Sequence, residues 1–311
     1  MKTPVAFIIF NRPDTTAKVF EAIRQAKPSK LLVVADGARQ GKVGEAEKCA
    51  ATRAIINGVD WECEVLTNYS DVNLGCKRRV SSGIDWVFQQ AEEAIILEDD
   101  CLPDPSFFPY CEELLERYRH DTRVMSISGD NFQFGRKRTT DSYYFSRYNH
   151  VWGWASWRRA WKHYDVNMQL WQTVRDGGWL EDLLGDSSEL RMWHQNFQRI
   201  FDGKVDTWDY QWVFACWIQS GLIIVPNVNL ISNIGFGADA THTTSAVNEL
   251  ANLPVEAVSF PLKHCEFVVR DAQADSFEAS SSSNLLLRVK DLINSYAMRV
   301  KAMSTSWYEL R

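Results

Sequence analysis

The 311-residue chain is acidic, with 34 Lys and Arg against 40 Asp and Glu and a formal net charge of -6, which argues against a nucleic-acid surface because phosphate backbones are met by basic patches. Its length suits one large domain or two intimately joined ones, with ample chain to bury a core. Seven scattered cysteines form no CxxC pair and read as reduced thiols of a cytoplasmic protein, and Val5–Phe10 is too short an apolar run for a signal peptide or a membrane span.

Val5–Phe10 reads as a buried strand broken at Asn11-Arg12-Pro13. Ala17, Phe20, Ala22 and Ile23 then supply the apolar face of a helix over Thr15–Gln25. Leu31–Ala35 is a second buried strand ending at Asp36-Gly37, followed by a helix over Glu45–Ile56 and a short strand over Glu62–Leu66. Asn73-Leu74-Gly75 leads into three cations, Lys77, Arg78 and Arg79, on a loop ahead of a helix over Gly83–Gln90. A run of cations is most simply a solvated edge. On a loop returning toward the next strand of an acidic chain, Arg78 or Arg79 also suits a diphosphate.

That next strand, Ile95–Leu97, ends in Glu98-Asp99-Asp100. A buried strand has no internal use for three acids, and the carboxyl ends of strands are where open α/β sheets bind ligands. Crowded carboxylates repel one another, and Mn²⁺ or Mg²⁺ is a remedy that leaves positions open for substrate phosphates. The plainer reading is an acidic turn. Strands alternating with helices predict an α/β fold with a mostly parallel sheet. No GxGxxG or GxxxxGK[ST] loop follows any of the strands, against a dinucleotide-binding or P-loop enzyme.

Ten of the thirteen tryptophans lie between Trp152 and Trp217. Most of these suit a core, while some, such as Trp154, suit stacking on a sugar ring. Asp206-Thr207-Trp208-Asp209-Tyr210-Gln211-Trp212 leads into an apolar helix over Val213–Ile218. Asp209 falls in its first turn, as a plain helix-start acid or as a partly desolvated general base. Leu222–Val225 is a strand, and the loop after Ser232 carries His242, a surface residue or a lid ligand over a metal site.

Taken in order, these segments resemble a GT-A glycosyltransferase, with a Rossmann-like, mostly parallel sheet flanked by helices and a Trp-rich acceptor-side half. More narrowly they resemble the N-acetylglucosaminyltransferase I family. The resemblance rests on Asn11/Arg12, Asp36, Asn73-Leu74-Gly75, Glu98-Asp99-Asp100 and Pro105-Ser106-Phe107-Phe108. It continues through Ser126-Ile127-Ser128-Gly129-Asp130-Asn131, Gly153-Trp154, Trp208-Asp209-Tyr210-Gln211-Trp212 and Ile234-Gly235-Phe236-Gly237 near His242, covering roughly residues 5–245.

The resemblance implies an inverting, metal-dependent transfer from a nucleotide sugar, UDP by default, such as UDP-GlcNAc or a UDP-hexose, to a hydroxyl of a glycan or lipid-linked acceptor. Residues 1–105 would form the nucleotide-sugar half and residues 106–275 the acceptor and catalytic half of one domain. Asp100 and His242 would hold Mn²⁺ or Mg²⁺. Asn11, Arg12, Asp36, Asn73, Arg78, Arg79, Glu98 and Asp99 would line the donor site, and Asp130, Asn131 and Trp154 the sugar or acceptor site. Asp209 would be the base, although the family element Trp-Asp-Asp-Trp is one residue longer here. The alternatives are a metal-dependent nucleotidyltransferase and a non-catalytic carbohydrate-binding module. Residues 276–283 read as a Ser-rich linker, and residues 284–311 as a basic amphipathic helix for packing, homodimer formation or peripheral contact with a membrane.

Overall fold

A computed structural model describes residues 1–185, 188–236 and 252–280. It separates two units, Met1–Asp271 and Ala272–Arg311. In the first unit the anticipated alternation is present. β1 (Val5–Ile9) is followed by α1 (Pro13–Ala26), β2 (Lys30–Ala35), α2 (Glu45–Ala54), β3 (Glu64–Tyr69), α3 (Gly75–Gln90) and β4 (Glu93–Glu98). Pro13 opens α1, where its missing N–H is no loss. Lys27 closes it in the left-handed region, its N–H reaching the Ile23 carbonyl.

β1, β2 and β4 are apolar at nearly every position because both faces are covered. Val5, Phe7, Leu31, Val33, Ile95 and Leu97 share a core with Val19, Phe20 and Ile23 of α1. Alternate residues point the other way, where α3 lies so close that a Cβ on Gly83 would collide with the Val34 side chain.

The chain continues through β5 (Cys101–Pro103), α4 (Phe107–Tyr118), β6 (Val124–Ser128), β7 (Tyr143–Ser146) and β8 (Trp154–Trp157). Four helices follow, α5 (Arg158–Trp161), α6 (Trp171–Asp176), α7 (Trp179–Leu184) and α8 (Ser188–Phe201). Then come α9 (Asp209–Ile218), β9 (Leu222–Pro226) and β10 (Ile231–Asn233). Eight strands form one sheet in the order β3-β2-β1-β4-β8-β6-β9-β7, and β10 pairs with β5. β3, β2, β1 and β4 are parallel. Beyond them β8 runs antiparallel to β4 and β6, and β7 antiparallel to β9. β6 pairs parallel with β9, so six of the eight strands run in one direction, only β8 and β7 oppose them, and the expectation of an α/β fold with a mostly parallel sheet is met.

Several boundaries differ from expectation: β3 runs to Tyr69 and not to Leu66, α9 begins at Asp209, ahead of Val213, and two further differences bear on the site and the tail. α3 begins at Gly75, so Lys77, Arg78 and Arg79 lie on a helix and not on a loop. Residues 272–280 are helical where a linker was expected from 276. The Ser276 hydroxyl bonds back to the Ala272 carbonyl and Ser280 to Phe277, so these serines satisfy themselves within the helix. The remainder of the anticipated linker and the 284–311 helix lie outside the described residues. No helix among the described residues is long and apolar enough to cross a membrane.

Candidate active site

The parallel register places the ends of β1, β2 and β4 side by side, with Ile9 opposite Ala35 and Ile8 opposite Glu98. Arg12, Asp36 and Glu98-Asp99-Asp100 therefore emerge on one edge. The acids carry their own cation: the Arg12 guanidinium meets Asp99 Oδ1 at 2.5 Å and Asp100 Oδ2 at 2.8 Å. Asp99 also accepts the Phe10 N–H at 3.0 Å. Burial alone would lower the Arg12 pKa, but Asp99 and Asp100 outweigh it and hold the group charged. Burial, then the charges of Asp100 and Asp99, raise the Glu98 carboxyl above its usual range. Burial raises Asp99 as well, against the pull of Arg12. Residues after β10 close over this pair. The Ile234 N–H donates to the Asp100 carbonyl at 2.8 Å, and a Cβ on Gly235 would collide with the Asp100 carboxylate and with Arg12 Nη1.

Asp36 was expected to read a base or ribose. Its oxygens instead accept the Leu74 N–H at 3.0 Å, the Gly75 N–H at 3.1 Å, the Gly37 N–H at 2.9 Å and the Asn73 side chain at 3.0 Å. It is buried, and its role here is to fix the start of α3, with Asn73 as part of that turn. Arg79 is likewise occupied within the fold: it is buried and donates to the Ala35 carbonyl and to Asn68. Of the three cations, Lys77 is half-buried and Arg78 exposed, and neither forms an ion pair among the described residues. Asn11 donates to Glu45 at 2.9 Å. Arg39, which sequence reading passed over, also binds Glu45 and lies over the Phe10 ring. Hydrogen bonds from Arg39 pull the Glu45 carboxyl down to about 2.

Asp209 opens α9 as anticipated and accepts the Thr207 hydroxyl. It is close enough to the sheet edge for its charge to act on Glu98. The half-buried Cys76 on α3 lies among these acids, its thiol pushed well up by burial and then by Glu98, Asp206, Asp209 and Asp36. Tyr164 feels Asp209 too and donates to the Trp208 carbonyl at 3.1 Å. Cys76, Tyr164 and Thr207 gave no signal in the sequence, because nothing local ties them to an acid.

The three sugar or acceptor candidates all have partners within the fold. Asp130 is fully buried and accepts the Trp152 N–H at 3.1 Å. Asn131 bonds the Pro226 carbonyl at 2.6 Å and receives the Gln133 N–H. Trp154 is fully buried, packed against Trp161, Trp208 and Trp212. The chain turns at Gly153, φ +102°, so the neighbouring Trp152 stays half-exposed. Trp152 meets Phe132 and Phe236 edge-to-face at 5.5 and 5.6 Å, forming an aromatic row that ends beside Gly235.

Among the described residues no three His, Cys, Asp or Glu side chains group as a cage for an ion. Mg²⁺-type sites need no cage: one or two carboxylates and substrate phosphates suffice. Asp100, partly exposed at 14%, fits that form through the oxygen that Arg12 leaves free, whereas Asp99 at 3% is committed to Arg12 and Phe10. His242 lies outside the described residues.

No protein-family model and no curated protein matches this sequence. Among solved structures the chain is similar to the galactosyltransferase LgtC in complex with donor and acceptor sugar analogues, at 12% identity and TM-score 0.40, covering 90% of this chain and 96% of that one. It is also similar to 4-diphosphocytidyl-2C-methyl-D-erythritol synthase from Anaerococcus prevotii, at 7% identity and TM-score 0.37, covering 72% and 88%. A third is UDP-glucose pyrophosphorylase with UDP-glucose, at 10% identity and TM-score 0.35, covering 73% and 90%. Likeness this distant carries no argument about activity, and it does not tie the chain to the N-acetylglucosaminyltransferase I family.

Proposed function

We propose that this chain is an inverting glycosyltransferase using a nucleotide-sugar donor and a hydroxyl acceptor. One observation carries the reading: Arg12 and Glu98-Asp99-Asp100 emerge at the strand ends beside Asp36, and the turn that carries Asp209, more than a hundred positions downstream, reaches the same place because Asp206 and Asp36 accept from neighbouring N–H groups of the first turn of α3. One group of charges suits the departing diphosphate, and the separate carboxylate suits the acceptor.

In this reading the acceptor hydroxyl gives its proton to Asp209 while its oxygen attacks the anomeric carbon. The bond to the diphosphate oxygen breaks on the opposite face of the sugar. Mn²⁺ or Mg²⁺ at Asp100, completed by phosphate oxygens, would neutralise charge as the diphosphate departs. Arg12 holds Asp99 and Asp100 in place, and Lys77 and Arg78 on the first turn of α3 are the cations open to phosphate. Trp152, with Phe132 and Phe236, replaces Trp154 as the face for a sugar ring. UDP is the first nucleotide to try.

The test is a thermal-shift and turnover screen of UDP-, GDP- and dTDP-sugars with purified full-length protein, with and without Mn²⁺. One donor should raise the melting temperature and slowly release nucleoside diphosphate in a Mn²⁺-dependent way. If every nucleotide sugar leaves the melting curve unmoved and intact donor is recovered, the reading fails.

A further inference from the structure

The first turn of an α-helix leaves backbone N–H groups with no partner inside the helix. At α3 two carboxylates from separate parts of the chain take them in turn. Asp36, at the end of β2, accepts from Leu74 and Gly75 at 3.0 and 3.1 Å. Asp206, on the loop before α9, accepts from Cys76 at 3.2 Å through Oδ2 and from Lys77 at 3.2 Å through Oδ1. One helical turn is thus held at one side by the nucleotide edge and at the other by the segment that carries Asp209.

Asp206 is exposed, so core packing does not account for where it sits. Gly75 makes room for it: a Cβ there would lie 2.9 Å from Asp206 Oδ2, and the glycine has φ +79°. Past Asp206 the segment is tied together by hydrogen bonds. Thr207 donates its hydroxyl to Asp209, Gln211 donates to the Thr207 carbonyl at 2.7 Å, and Tyr164 donates to the Trp208 carbonyl at 3.1 Å. A displacement of Asp206 is therefore passed on to Asp209.

We propose that Asp206 is a positioning residue, pinning the Asp209 turn to the N-terminus of α3 and so fixing the proton acceptor relative to the donor edge. The proposal rests on the transferase reading. Asp206 touches neither substrate nor the reacting atoms; it acts through the backbone it holds.

The test compares Asp206→Ala and Asp206→Asn in the full-length protein, using the nucleotide sugar that the wild type turns over. Asp206→Ala should lower kcat for transfer roughly 10- to 100-fold, the effect of a small misplacement of a catalytic group. Donor KM and nucleotide affinity should stay within about threefold, since uniform binding is untouched. Asp206→Asn, which keeps one acceptor oxygen, should recover part of the loss. Hydrogen exchange should quicken about tenfold at the amides of Cys76 and Lys77 and also across residues 207–211, as a shared local opening would produce.

A lower melting temperature with kcat within about twofold of wild type would reduce Asp206 to a helix cap and overturn the proposal. Weaker donor binding with unchanged kcat overturns it as well, as does exchange that quickens at Cys76 and Lys77 alone. If the wild type turns over no nucleotide sugar, the transferase reading and the catalytic consequence fall together. The exchange data then still decide whether Asp206 ties the two segments.

Discussion

The strand ends of β1, β2 and β4 and the aromatic layer from Trp154 to Trp217 meet opposite physical demands. The first concentrates charge, and nearly every charged or polar group there has a named partner: Arg12 for Asp99 and Asp100, four N–H donors for Asp36, Arg39 and Asn11 for Glu45. The second concentrates rings, and there the indole N–H groups of Trp154 and Trp212 and the Gln211 carbonyl oxygen are buried with no hydrogen-bond partner among the described residues. Leaving a few neutral polar atoms unpartnered costs far less than leaving a charge unpartnered. Charge placement is therefore exacting at the strand ends, whereas shape is what the aromatic layer must satisfy. Asp209, at the seam between the two, has its hydroxyl partner from its own turn and its place from Asp206.

Four perturbations probe this contrast. The largest effect is expected at the seam. Asp209→Asn should cut sugar transfer by ~10²–10⁴-fold while calorimetry shows unaltered nucleotide binding, the signature of a lost general base. Near wild-type turnover would remove Asp209 from the chemistry.

At the strand ends, Arg12→Gln should cost about 3–5 kcal/mol in urea unfolding, because it strands carboxylates that are paired in the native state. Added Mn²⁺ should return part of that stability. A loss below about 1 kcal/mol would mean that the acids tolerate one another unaided.

Glu45 gives the same logic a pH signature. Its carboxyl is held near 2 in the folded protein and titrates near 4.5 when free. A depressed acid stabilises the fold above its free pKa and loses that contribution as pH falls through its folded value, here between about 4.5 and about 2. Glu45→Gln should lose roughly 1–3 kcal/mol at pH 7, discounted for the half-exposed Arg39, and lose little near pH 2. Parallel acid-unfolding curves for the two proteins would contradict it.

The smallest stability effect is expected at the aromatic row. Trp152→Ala, at a half-exposed position, should cost no more than about 1 kcal/mol yet lower turnover through acceptor KM. Equal loss of stability and activity would return Trp152 to the core along with Trp154.

The positions of the first strands could be read from the chain because their residues are buried on both faces and so appear as plain apolar runs with polar ends. Helix starts were less legible. α3 begins at Gly75, well ahead of the Gly83 start expected, because Asp36 and Asp206 cap its first turn from 39 and 130 positions away. β7 and β8 are only 4 residues long and mix serine with aromatics, so neither a run nor an alternation marks them. Among the tryptophans the pattern gave density but not direction. Gly153 sends Trp152 outward and Trp154 inward, and only the folded backbone distinguishes them.

By itself the sequence determined that three acids end a buried strand beside other polar strand ends, and that Asp209 starts a helix, since burial and capping leave local marks on residue order. It did not determine what those acids meet. Arg12 lies 88 positions before Asp100, and its pairing, like the capture of Asp36 and Arg79 by backbone groups and the anchoring of Asp209 through Asp206, exists only once parallel strands and α3 bring distant segments within hydrogen-bond reach. Charge neutralisation is a short-range, three-dimensional matter, and tertiary structure alone decides it.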